Sequence, residues 1–114
     1  MTREEILEAV KALGFRLEWH SFRAVPNTHS FATWNIPRKN FGGADMMAFI
    51  CRYPLNVTFF YRESKTPEDF KKESEFEKAV RAVGDFSCVM DYDSSEGLFY
   101  TQYTFNLNDF MEDA

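Results

Sequence analysis

An α+β fold is the class this chain predicts, on three observations. Two stretches carry helical periodicity behind a capping residue, six segments read as strands, and the two kinds do not alternate. The order helix, four strands, helix, two strands lacks the repeated strand-helix exchange of a doubly wound parallel sheet. It predicts a mostly antiparallel sheet of about six strands with both helices on one face, α-β-β-β-β-α-β-β. At 114 residues, without internal repeats or low-complexity tracts, the chain reads as one domain over 1–114, its acidic end from 108 onward fraying. A domain of this size buries roughly 65% of its unfolded surface, enough for a core without staples.

The first helix starts at Thr2. Its hydroxyl caps free amides while Glu5 reaches back, and Ile6, Leu7, Val10 and Leu13 follow at helical spacing until Gly14. The period then drops to two: Phe15, Leu17 and Trp19 alternate with Arg16, Glu18 and His20 in a half-buried strand that ends before Pro26-Asn27. Phe31 to Ile36 forms a second strand, stopped by Pro37, and Arg38 to Ala44 reads as a loop with backbone freedom. Met46 to Arg52 and Leu55 to Arg62 read as two strands of a hairpin about Tyr53-Pro54. In the latter, Leu55, Val57, Phe59 and Tyr61 point one way, and Asn56, Thr58, Phe60 and Arg62 the other. Thr66-Pro67-Glu68-Asp69 opens a second helix, with its acids at the positive end of the dipole. That helix runs to about Val83 with Phe76, Ala79, Val80 and Val83 on one face, and stops at Gly84. Phe86 to Tyr92 and Leu98 to Leu107 are the last strands, joined by the polar turn Asp93 to Gly97.

Composition narrows the function. The chain is 45% hydrophobic and 18% aromatic, with thirteen phenylalanines; aromatics in excess of what a small core holds are material for a partner surface. A net charge of −5, with Lys and Arg dispersed among acids, argues against a surface that holds nucleic acid. No apolar stretch approaches the ~20 residues of a membrane span. No signal peptide precedes the charged run Arg3-Glu4-Glu5, which leads us to expect folding in a cytoplasm. Cys51 and Cys88 sit in apolar strand-like stretches and read as buried free thiols.

A search for chemistry returns no catalytic, metal or cofactor residues. His20 and His29 lack a Cys or carboxylate at ligand spacing, and Cys51 with His20 lacks the setting that activates a thiol. Asp91, Asp93 and Glu96 do not follow a calcium-loop pattern and read as a solvated turn. Gly42-Gly43 has no Lys and Ser/Thr after it, so it reads as a connector rather than a phosphate loop. Phe99, Tyr103 and Phe105 read as core, since the basic residues that accompany base stacking are missing.

Three segments together carry a resemblance: Leu17-Glu18-Trp19-His20-Ser21-Phe22, Asn40-Phe41-Gly42-Gly43-Ala44-Asp45, and Leu55 to Arg62. With the acidic helix that follows and the close Gly97 to Phe105, the chain resembles the small tail-terminator or head-tail joining proteins of long-tailed phages and prophages of Firmicutes. The likeness runs from Thr2 to Phe105; Gly43 and Met46-Met47 depart from the family's pattern. It implies a non-enzymatic ring former, commonly a hexamer, that ends tail-tube growth and seats the filled head. Its partners would be further copies of itself, the tail-tube protein and a head-completion protein, first in the host cytoplasm and then in the virion tail. The contact residues it suggests are Asn40, Phe41, Gly42, Gly43 and Asp45, with Phe60 and Arg62 at the strand edges. A bland connector remains the other reading of the 40–45 segment. A protein-binding adaptor or another virion component is the alternative function, and a small enzyme a more remote one.

Overall fold

The computed structural model describes residues 2–19, 26–37, 40–42, 50–83 and 86–110, the backbone alone for 40–42, 50–52 and 108–110. Helix α1 (Arg3–Ala12) leads into β1 (Leu17–Trp19), β2 (Ser30–Asn35), β3 (Asn40–Gly42) and β4 (Ile50–Tyr61). Helix α2 (Pro67–Ala79) and a 3-10 turn at Arg81–Val83 follow, then β5 (Phe86–Asp93) and β6 (Leu98–Phe110). One sheet holds every strand among the described residues. Its continuous path is β1-β2-β4-β6-β5, with β3 paired to the far end of β4. All pairs are antiparallel except β1 with β2, where Leu17 lies beside Ala32. The α+β class and the antiparallel sheet are as the sequence predicts.

Two expected elements differ, and their errors cancel in the element order. The hairpin about Tyr53-Pro54 does not form: β4 runs unbroken for 12 residues from Ile50 to Tyr61, each paired to β6. Proline in a central strand removes a ladder donor. Here β4 meets β3 through Ile50–Arg52 and β2 through Asn56–Tyr61, so Pro54 falls between the two partners. The strand is locally an edge there among the described residues, and the missing N–H costs little. The second difference is at Asn40–Gly42, expected in a loop and found as β3, with Phe41 opposite Cys51. Residues 46–49 of the expected strand, Gly84 and the tail 111–114 lie outside the described residues. β6 pairs as far as Phe110, beyond the expected limit at Leu107.

Both helices form where local signals placed them. Thr2 with Glu5, and Thr66 with Asp69, each make a reciprocal capping box, and Pro67 occupies the first turn of α2. The helices cover one face of the sheet. Ile6 and Val10 of α1, Phe76 of α2, Val80 at its C-cap, and Leu55, Val57, Phe59, Tyr61, Tyr103 and Phe105 are buried together. α2 ends at Ala79, short of Val83, and Ala79 is exposed. Phe76 is the centre of this layer, with ring centroids 5.1 Å from Phe59, 5.2 Å from Tyr103 and 6.0 Å from Phe105. Such tilted and edge-on contacts add to the hydrophobic gain of each buried ring.

The inward face of α2 also carries Asp69 and Glu73, both buried. The first-turn acids, Asp69 among them, are expected at the helix dipole; the cap does use Asp69, but the fold takes its side chain inward. Cys88 is corrected too: it lies exposed on β5 as a free thiol, because β5 is the outer strand of the sheet. The side chain of Cys51 is outside the described residues. Phe76→Ala should lower unfolding stability by about 3–5 kcal/mol, the cost of emptying a buried aromatic site. Urea unfolding measures it, and a loss below about 1 kcal/mol would contradict this packing.

Candidate functional site

The residues singled out in the sequence fall in three places. Asn40, Phe41 and Gly42 form β3 at the Ile50 end of β4, and Gly43 and Asp45 lie outside the described residues. Arg62 follows β4 and is turned to internal use. Its Nε donates to the carbonyl of Thr28 at 2.8 Å, its guanidinium also donates to Pro26, and its amide donates to His29. Phe60 projects from the face opposite the helices. Of the histidines, His29 is described and bonds to Asp69, while His20 is not described.

The face around Phe60 has no second layer among the described residues. Strand alternation sends Phe31, Thr33 and Asn35 of β2, Asn56, Thr58 and Phe60 of β4, and Tyr100, Gln102 and Thr104 of β6 to this side. Phe31 stacks on Phe60 at 5.2 Å, and Tyr100 lies 6.2 Å beyond, making an aromatic row across three strands. Beside the row is an open groove of about 500 Å³ lined by Thr33, Asn35, Thr58, Phe60, Tyr100 and Gln102, with the 92–94 corner at its rim. Its polar groups pair across strands, Thr104 donating to Asn56 at 2.9 Å and Gln102 to Thr58 at 3.4 Å. The buried side-chain oxygen of Asn35 finds no hydrogen-bond partner among the described residues. Among the described residues Asp93 is the one charged lining residue, in a chain that is 27% charged. It accepts from the Ser95 hydroxyl at 2.7 Å and from the Ser95 amide, which holds its carboxyl below the usual range and keeps the corner a solvated turn.

On the helix side, polar groups converge under the start of α2, an arrangement that the sequence reading missed. Lys65 Nζ donates to Glu73 Oε1 at 2.6 Å and to Thr101 Oγ1 at 2.9 Å, and lies 3.3 Å from Met90 Sδ. The Tyr61 hydroxyl donates to the other oxygen of Glu73, and Tyr103 donates to Glu77 at 3.1 Å. Burial, reinforced by the Glu73 carboxylate, pushes both phenols far above their ordinary value, so they stay neutral donors. Nearby, His29 Nε2 donates to Asp69 Oδ2 at 2.8 Å, and the Thr66 amide donates to the same oxygen. Partial desolvation, with Glu73 and Glu77 close by, raises the Cys88 thiol above its usual value. That is the reverse of what activates a nucleophile. These groups are paired with one another and locate α2 on the sheet. A hint existed in the sequence, since Asp69 and Glu73 share the helical spacing of Phe76 and Val80.

Among the described residues, no group of three or more His, Cys, Asp or Glu is placed to hold a metal ion. No helix among them is long and apolar enough to cross a membrane. No family model and no curated protein matches the chain. Among solved structures it is similar to the sheath/tube terminator of an extracellular contractile injection system, PVC, seen by cryo-electron microscopy in the extended state. The alignment covers 100% of this chain and 59% of that one, at 9% identity and a TM-score of 0.44. The chain thus spans less than two thirds of that terminator, and so distant a likeness assigns it neither family nor partner.

Two predictions concern the buried polar groups. Lys65→Met leaves Glu73 buried without its cation and should cost about 3–5 kcal/mol in urea unfolding, whereas Lys65→Met with Glu73→Leu should recover most of that loss. Equal losses in the two variants would show that the pair is not the source. For Asp69, burial pushes the carboxyl up, but the Thr66 amide, the His29 ring and the Thr66 hydroxyl outweigh it and leave it below its ordinary value. The ionised carboxyl therefore adds stability above about pH 4, where it is also ionised in the unfolded chain, and that gain is lost as pH falls through the lower folded value. Asp69→Asn should flatten the fall in stability below about pH 4. An unchanged acid slope would refute the assignment.

Proposed function

We propose that this chain is a non-enzymatic structural component of a phage tail, a terminator or head-tail joining protein. In this reading copies of the chain form a ring that caps the tail tube and seats the head. The observation that carries the reading is the sheet face opposite the helices, where half-buried Phe60 and Tyr100 continue an aromatic row from the buried Phe31 beside a groove of almost uncharged lining. Interface centres are enriched in aromatics and depleted in charge, and this face has both properties. The occupant we assign to the face is the tail-tube protein, on the strength of the sequence resemblance over Thr2 to Phe105. The segment 40–45, of which Asn40–Gly42 pairs with the Ile50 end of β4, is proposed to meet the neighbouring copy.

Ring closure requires heterologous contacts, one patch meeting a different patch on the next copy, and two separated surfaces on one chain satisfy that requirement. The acidic balance suits a ring through which DNA slides, because carboxylates do not hold phosphates. In this reading the chain works in the host cytoplasm during assembly and then in the virion tail. Nothing is made or broken; function is surface complementarity.

Light scattering and electron microscopy of the chain mixed with tail-tube protein test the proposal. Wild-type protein should form rings on tube ends. Gln102→Arg, which places a charge in the groove where only a long 3.4 Å bond is lost, should abolish capping while leaving the urea midpoint nearly unchanged. Phe60→Lys should do the same with some loss of stability. Capping by Gln102→Arg at wild-type level would overturn the assignment of this face.

A further inference from the structure

The margin formed by β5 is a different surface, and it carries an inference that stands without the tail role. Among the described residues β5 has a ladder partner on one side only, β6, and its other edge is open for all eight residues from Phe86 to Asp93. Natural edge strands are blunted by lysine, proline, bulges or shortness, because an open row of N–H and C=O groups recruits another strand. β5 has none of these, and its charges are the acids Asp91 and, at its end, Asp93. It contains no Lys, Arg, Pro or Gly, and its pairing with β6 is continuous. Its side chains are also unusually apolar for so exposed a strand: Val89 is 53% exposed, Met90 60% and Tyr92 48%. With Phe99, which touches Tyr92 at 4.7 Å, this margin holds most of the large exposed hydrophobic side chains of the described residues.

We propose that the occupant of this edge is β5 of a second copy, paired antiparallel about a two-fold axis normal to the sheet at Val89. The strand's own sequence argues for that partner and that register. Phe86 and Tyr92 contact β6 rings on the helix side, so Phe86, Cys88, Met90 and Tyr92 share that side, and Ser87, Val89 and Asp91 share the other. An axis at Val89 sets Val89 against Val89, Met90 against Cys88 and Phe86 against Tyr92, each pair on one side of the joined sheet. It also sets Asp91 against Ser87, so no acid faces an acid. Moving the axis to Met90 would put Asp91 against Val89, and an in-register parallel pair would stack Asp91 on Asp91 and Asp93 on Asp93. Aromatic pairs and matched apolar pairs stabilise a ladder, while like charges directly opposite destabilise it. The product is one continuous sheet with all four helices on the same face. A two-fold pair closes on itself, so this dimer is the form of the chain away from any larger ring.

A position on a two-fold axis meets itself, and that gives a specific test. Wild-type protein should show twice the chain mass of 13.4 kDa by light scattering. Val89→Lys alone and Val89→Glu alone should each halve that mass through like-charge contact, with the far-UV circular dichroism of the folded chain unchanged because the side chain is exposed in the single chain. Mixing the two variants in equal amounts should restore the dimer. In a Cys51→Ser background, Met90→Cys should oxidise to an interchain disulfide with Cys88 of the second copy, whereas Asp91→Cys should not. A wild-type mass of one chain at every concentration overturns the proposal, as does any mass that Val89→Lys leaves unchanged. Failure of the mixed variants to recover the dimer overturns the axis at Val89. None of these readouts involves tail-tube protein, so the dimer and the tail role stand or fall separately.

Discussion

Because side chains alternate faces along a strand, the register between β4 and β6 decides where nearly everything else in this molecule goes. The 12 residues from Ile50 to Tyr61 meet Phe110 to Phe99 without interruption. That single alignment sends Leu55, Val57, Phe59 and Tyr61 with Tyr103 and Phe105 under the helices, and Phe60 with Tyr100 to the open side. A slip of one residue would exchange the two faces and expose the core. The long pairing is held in turn by Phe76, which touches rings on both strands and ties α2 to the centre of the sheet.

The helix layer accepts a polar compromise to reach that position. Burying Glu73 and Asp69 beneath α2 removes two carboxylates from water, which costs energy unless each is met by good partners. Lys65 and Tyr61 meet Glu73, and His29 and Thr66 meet Asp69. Directional bonds of this kind do little for net stability compared with apolar packing, but they define angle and depth, which a layer of smooth hydrophobic contacts leaves loose. We read the arrangement as the device that holds α2 over Tyr61 and Thr101. Among the described residues these polar groups bond to one another.

Function then belongs to the exterior. Antiparallel sheets often leave one face to solvent, yet solvated faces are normally charged, and this one carries aromatic, hydroxyl and amide groups, Phe31, Thr33 and Thr58 among them buried, with Asp93 the one charged lining residue among those described. At a right angle to it, β5 shows an apolar edge without the usual protection. Two surfaces of unlike character on one small domain are the physical requirement for building an assembly in more than one direction.

The parts determined by the sequence alone were those with local causes. Capping at Thr2 and Thr66, the Pro67 helix start and the Asp93–Gly97 turn, where Gly97 adopts a φ of +69°, are settled by neighbours within a few residues. Alternation in Leu55 to Arg62 likewise separated Phe59 from Phe60 before any partner was known. The tertiary structure decided what depends on distant strands. Pro54 can continue β4 only because β2 and β3 leave a gap beside it, and Asn40–Gly42 becomes a strand only because Ile50–Arg52 is there to pair with it. Phe60 belongs to an aromatic row only because Phe31 and Tyr100 are brought to either side of it. Asp69 and Glu73 turn inward, and Cys88 outward, because burial is set by what packs against an element, and a residue's type and spacing do not contain that information.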